Sequence, residues 1–88
     1  MNYVEIGQRI RKYRKQQNLS QEELAEKIGI STTHMSHIET GSTKLSLPVL
    51  VDLATTLKVK TDSLLFNEEN KTNIETIKLL EQAILNLR

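Results

Sequence analysis

The sequence predicts an all-α chain of five short helices followed by a sixth, C-terminal one, on three observations. No window alternates apolar and polar residues long enough for a strand, whereas apolar residues recur three and four apart throughout. Helix punctuation is dense: Ser20, Ser31 and Ser46 stand where helices would start, Gly29 and Gly41 where helices would stop. The 88 residues, 38% hydrophobic and 26% charged, hold one compact core, too small for an elaborate catalytic cleft.

Each element has its own signal. Ile6, Ile10 and Tyr13 are spaced four and then three, predicting a first helix from about Val4 to Gln17 with Asn18 as its C-cap. A second starts at Ser20, where S-Q-E-E has the form of a capping box, with Ser20 accepting from the Glu23 N–H and Glu23 reaching back to that of Ser20. It buries Leu24, Ala25 and Ile28 and stops at Gly29, which takes a positive φ without steric penalty. Ser31 caps the third helix, with Ile30, Met35 and Ile38 inward and Gly41 at its end. After the polar connection "STKLS", Ser46 caps a fourth helix that tolerates Pro48 in its first turn, where no intrahelical bond is lost. Leu50, Leu53, Ala54 and Leu57 form its apolar stripe. Val59 crosses to a short fifth helix begun by Thr61 or Asp62, with Leu64, Leu65 and Phe66 as its apolar content. The organisation expected is a domain over 1–66, a linker over 67–71 within "NEENKTN", and a last helix over 72–88.

With no cysteine, no N-terminal apolar run and no stretch near membrane-spanning length, nothing points to secretion, a membrane or a thiolate metal site, and the cytoplasm is the expected location. A core this small with no disulfide makes self-association a reasonable expectation. The net charge of +1 hides an uneven distribution. Up to Asn18, Arg9, Arg11, Lys12, Arg14 and Lys15 oppose only Glu5, five minus one, or +4. Such a cluster can face a polyanion, although Arg and Lys also simply solvate helices, so it counts only where other features agree.

Two helices of about eight residues joined by a glycine turn outline a helix-turn-helix. Ala25 is small where the helices must cross closely, with Gly29 four positions later at the turn. Residues 6–65, above all "LSQEELAEKIGIS...IETG", resemble the Cro and repressor-type helix-turn-helix proteins of the XRE family. The resemblance implies a five-helix, lambda-repressor-like DNA-binding domain. It also implies sequence-specific binding of double-stranded DNA, usually as a dimer on an inverted repeat, and usually to regulate transcription. No enzyme activity and no cofactor are expected.

At about 100° per residue, with Met35 at the buried centre, Ile38 and Glu39 fall inward, while Thr33, Ser36, His37 and Thr40 fall outward. Short neutral side chains of this kind exchange hydrogen bonds with base edges and meet the thymine methyl, whereas Glu there would repel phosphates. The resemblance assigns readout to Thr32, Thr33, Ser36 and His37, with His34 on a flank toward a phosphate. Gln21 resembles the family's phosphate-holding residue at a helix N-terminus, where the dipole favours an anion. Ser31, Thr40, Ser42, Thr43 and Lys44 are the further expected phosphate contacts. The resemblance also pairs Arg14 with Glu39 in a partly buried ion pair that fixes the third helix. His34 and His37 have no Cys or carboxylate on their face to complete a metal site, and no third group or apolar pocket to make a Ser–His nucleophile.

Beyond Phe66 the resemblance fades. Ile77, Leu80, Ile84 and Leu87 repeat at three, four, three, a heptad seam widened by Ile74, Leu79 and Ala83. This face either folds back on the fifth helix or meets its twin across a two-fold axis, and the homodimer is the preferred expectation, through Ile74, Ile77, Leu80, Ile84 and Leu87. The alternative is a protein-interaction module of the same fold, an antitoxin, antagonist or adaptor that acts chiefly through a protein partner. An 88-residue chain is expected to carry no separate effector domain.

Overall fold

The computed structural model describes residues 2–67 and 78–86, and the regular structure among them is entirely helical. In chain order the elements are α1 (Tyr3–Gln16), α2 (Gln21–Ile28), α3 (Thr32–Thr40), α4 (Leu47–Leu57) and α5 (Thr61–Leu65). A helical stretch over 78–86 is α6. Ile74, Ile77 and Leu87 of the expected seam lie outside the described residues, as does the proposed start of that helix at Thr72.

Side chains close four of the helix starts. Asn2 accepts from the Glu5 N–H at 3.1 Å and begins α1. Ser20 and Glu23 form the reciprocal capping box of α2, at 3.0 and 3.1 Å. The bond from the Ser20 backbone N–H, then that from its side chain, hold the Glu23 carboxyl below its ordinary range. This cap is therefore complete above the ordinary carboxylate range and is lost as pH falls through the lowered value. Ser31 accepts from His34 at 3.0 Å, and Ser46 from Val49 at 3.4 Å. Gly29 and Gly41 end α2 and α3 at φ 76° and 74°.

Two boundaries depart from the expectations, and a third has no signal in the sequence. Gln17 is the C-cap of α1, and Asn18, one residue beyond, takes the left-handed turn at φ 57°. Lys58 ends α4 at φ 58°, although no Gly or Asn marks that position. Phe66 is not part of the apolar content of α5: it is the C-cap, in extended backbone at φ −124° and ψ 153°, and 48% exposed. The reason is tertiary, because the Arg9 guanidinium donates to the carbonyls of Leu64 and Leu65 at 3.2 and 3.1 Å and occupies the end of the helix.

Ile6, Ile10, Leu24, Ala25, Met35, Ile38, Leu50, Leu53, Ala54, Leu57 and Leu64 form one buried cluster, with Tyr13, Ile28, Ile30 and Leu65 at its margin. All five helices of the domain contribute to it, so α2 and α3 are held by packing on several sides. The α1 and α3 backbones approach closely at Gly7. A Cβ on Gly7 would meet the backbone carbonyls of Ile38 and Glu39, the latter at 2.5 Å. At the end of α3, a Cβ on Gly41 would lie 2.6 Å from the Val4 backbone.

In most helix interiors Gly→Ala stabilises by about 1 kcal/mol. Here Gly7→Ala instead forces α1 away from α3 against backbone atoms that cannot rotate aside, with an expected net loss of about 2 kcal/mol. Urea unfolding checks this, and a variant more stable than the parent would show that the crossing is loose.

Candidate nucleic-acid interface

The α2–Gly29–α3 hairpin is closed at its turn by a bond from the Ile30 N–H to the Ala25 carbonyl at 3.0 Å. Leu24 and Ala25 of α2 and Met35 and Ile38 of α3 are buried in the shared core. On the opposite side of α3, Thr32, Thr33, His37 and Thr40 are exposed, and His34 and Ser36 are half-buried. The outward face thus carries no acidic group, and the one carboxylate of α3, Glu39, is buried.

Its hydroxyl groups are not equivalent. Ser31 accepts from the His34 N–H, which leaves its own hydrogen to donate outward. Thr40 lies 3.0 Å from the Ser36 carbonyl, 3.3 Å from that of His37 and 2.8 Å from the Ser42 hydroxyl. Its single hydrogen faces two carbonyls, and either hydroxyl can donate to the other, so in this arrangement that hydrogen is used within the protein. The Ser42 N–H also turns back, to the His37 carbonyl at 2.9 Å. Thr40 and Ser42 together form a clasp that ends α3. In the loop that follows, Thr43 is half-buried and Lys44 exposed.

Beneath this face lies a polar junction of three helices. Arg14 of α1 meets Glu39 of α3 in two parallel bonds, Nε to Oε2 at 2.6 Å and Nη2 to Oε1 at 2.9 Å. The two residues are only 7% and 4% exposed. Arg14 Nη1 also donates to the Leu19 carbonyl at 2.7 Å. Gln21, the first residue of α2, donates from Nε2 to Glu39 Oε1 at 3.1 Å. Among the described residues no buried side-chain nitrogen or oxygen lacks a partner.

The N-terminal basic cluster divides. Arg14 is committed to Glu39, and Arg9 to the end of α5 with Glu5 3.7 Å away. Arg11, Lys12 and Lys15 remain exposed, Lys12 lying 5.8 Å from the centre of the Tyr13 ring. Sequence reasoning did not find Gly7, the Arg9 bonds or the inward bond of Gln21. Only Gly7 carried a signal, since Gly inside a helix is costly unless another backbone comes close.

The helix-turn-helix family model matches residues 10–64. The chain belongs to the XRE-type helix-turn-helix family. That family comprises DNA-binding transcription regulators and not enzymes. The HTH-type transcriptional regulator SinR of Bacillus licheniformis is 39% identical over 71 residues, covering 80% of this chain. The chain spans 63% of the length of that relative. The crystal structure of SinR in complex with DNA superposes with a TM-score of 0.66 at 40% identity, covering 69% of this chain and 98% of that one. The restriction-modification controller protein C.AhdI from Aeromonas hydrophila gives 0.68 at 35% identity, covering 70% and 94%. Among the described residues no helix is long and apolar enough to cross a membrane.

Truncating Glu39 would strand the Arg14 guanidinium in a site closed to water. Glu39→Ala is expected to destabilise the fold by about 3 kcal/mol, the scale for breaking one side of a buried pair. Chemical denaturation measures it, and an unchanged midpoint would mean that the pair holds nothing together.

Proposed function

We propose that this chain is a DNA-binding transcriptional regulator, a repressor that occupies an inverted-repeat operator as a homodimer with α3 in the major groove. The observation that carries the reading is the contrast between the two sides of α3. Its inner side is fixed by the core and by Glu39, while its outer side offers Thr32, Thr33, Ser36 and His37 without a carboxylate. Hydroxyl and imidazole groups at that range exchange hydrogen bonds with base edges, and threonine methyls pack on thymine. Phosphates are met by Gln21, Ser31, His34, Ser42, Thr43 and Lys44, with Thr40 shaping the end of the helix. Exposed Arg11, Lys12 and Lys15 add long-range attraction. Similarity to SinR, whose solved structure is a complex with DNA, supports the same partner here.

Dimerisation is assigned to the last helix. Leu80 and Ile84, four apart on one side of the helix, are 59% and 64% exposed. Pairing two such faces removes them from water and sets two recognition helices about 34 Å apart, one turn of DNA. Occupancy of an operator overlapping a promoter then suffices for repression, in the cytoplasm where the DNA lies. The same apolar helix favours a second reading, in which it docks a different protein and the chain works as an antitoxin, antagonist or adaptor.

Selection of duplexes from a random pool at about 0.1 M salt, which screens attraction beyond about 10 Å, tests the DNA reading. The protein is expected to enrich an inverted repeat and Thr33→Ala/His37→Ala to lose it. A folded protein that enriches nothing would favour the protein-partner reading. Sedimentation tests the dimer: the parent is expected to associate with rising concentration and Leu80→Glu/Ile84→Glu to stay monomeric. A parent that is monomeric at every concentration would remove that role from α6.

A further inference from the structure

The Gln21 side chain sits where two demands meet. It opens α2, at the place assigned above to a phosphate, and it is half-buried with one face toward Glu39. A carboxylate only accepts, so the group turned to Glu39 is the amide nitrogen. That nitrogen carries two hydrogens. One goes to Glu39 Oε1 at 3.1 Å, and the other, with the amide oxygen, remains for a group outside the protein.

Glu39 Oε1 therefore takes donors from two helices at once, Arg14 Nη2 of α1 and Gln21 Nε2 of α2. A slide of α3 along α2 breaks the Gln21 bond, and a slide along α1 breaks the Arg14 bond. The Nε2–Oε1 distance is near the long end of the N–H···O range, so a displacement of α3 that the two side chains do not follow breaks the bond. The outward residues of α3 need accurate placement. Thr33 and Ser36 end one atom beyond Cβ and have no length with which to recover a misplaced helix, unlike Arg or Gln.

We propose that Gln21 is the positioning residue that passes phosphate engagement at the start of α2 to the placement of α3, and so sets how sharply the protein separates its operator from other DNA. The inference rests on the DNA-binding reading above. Without the Gln21–Glu39 bond, α3 keeps its bonds to Arg14 and the turn keeps the Ile30–Ala25 bond, but the direct polar tie between the first residue of α2 and α3 is gone.

The test compares binding of Gln21→Met with the parent on the selected operator and on a random duplex at the same salt. Methionine keeps the length of the side chain and loses its donors. Operator affinity is expected to fall about tenfold and random-duplex affinity about threefold or less, so discrimination drops. Gln21→Lys, which restores a donor toward Glu39, is expected to recover the ratio. Gln21→Asn keeps the amide but is too short to reach, and it makes the same demand should Met disturb folding in a thermal melt. Equal losses on both duplexes would reduce Gln21 to a plain phosphate contact and overturn the proposal, as would an unchanged ratio. A parent that does not separate operator from random DNA would fail before any variant is made, and would overturn the DNA-binding reading together with this one.

Discussion

The placement of the helix-turn-helix hairpin depends on one carboxylate in the wrong place for a small core. Glu39 is almost fully buried, on the inner side of a helix whose other inward residues are Met35 and Ile38. Taking a carboxylate out of water costs several kcal/mol unless a counter-charge and hydrogen bonds replace the water. Here they come from Arg14 on α1 and Gln21 on α2. The three helices must therefore meet in one geometry for the charge to be tolerated, whereas an apolar contact at the same point would accept many. The Gly7 crossing works in the same direction, because it brings the α1 backbone against α3 beside this pair. Sequestering Glu39 also keeps a negative charge off the outer face of the only helix that presents Thr32, Thr33 and His37 together.

The other helices depend on α1 through their unsatisfied ends. The last carbonyls of a helix have no partner within it, and helices as short as α5, five residues, are not stable alone. Arg9 supplies the missing donors for α5, Gln17 donates to the Leu57 carbonyl at the end of α4, and Arg14 to that of Leu19 before α2. Long polar side chains on α1 and at its C-cap thus satisfy backbone carbonyls up to 56 residues away. This explains why a basic cluster that reads as a polyanion site is only partly available for one: two of its five cations are structural.

What could be read from the sequence follows from how local each cause is. The caps at Ser20, Ser31 and Ser46 and the stops at Gly29 and Gly41 depend on residues within four positions and are found where they were expected. The inward stripes of α2, α3 and α4 are equally local, since period alone fixes which face is apolar. Phe66 was misplaced because α5 ends on a guanidinium from α1, which no nearby residue announces. Lys58 takes the left-handed region in a local turn, with the Val59 N–H on the Ala54 carbonyl at 3.0 Å, at a position that no Gly or Asn marks. The same holds for the candidate interface: outward positions on α3 were legible by angle, but the inward bond of Gln21 and the internal use of the Thr40 hydrogen need three dimensions.

A surface of short hydroxyl groups changes where specificity must come from. Bidentate readers such as Arg or Gln carry the discrimination in their own fork of donors, worth about 1–3 kcal/mol per base, and their flexible stems absorb small errors in helix position. Thr and Ser contacts are individually permissive, since one hydroxyl both donates and accepts and meets more than one base edge. Discrimination by such a face comes from steric fit and from the distance at which each methyl or hydroxyl is held. That makes helix placement the quantity under control. It gives a physical reason for a small domain to keep a buried Arg–Glu–Gln junction where an apolar contact would have served stability as well.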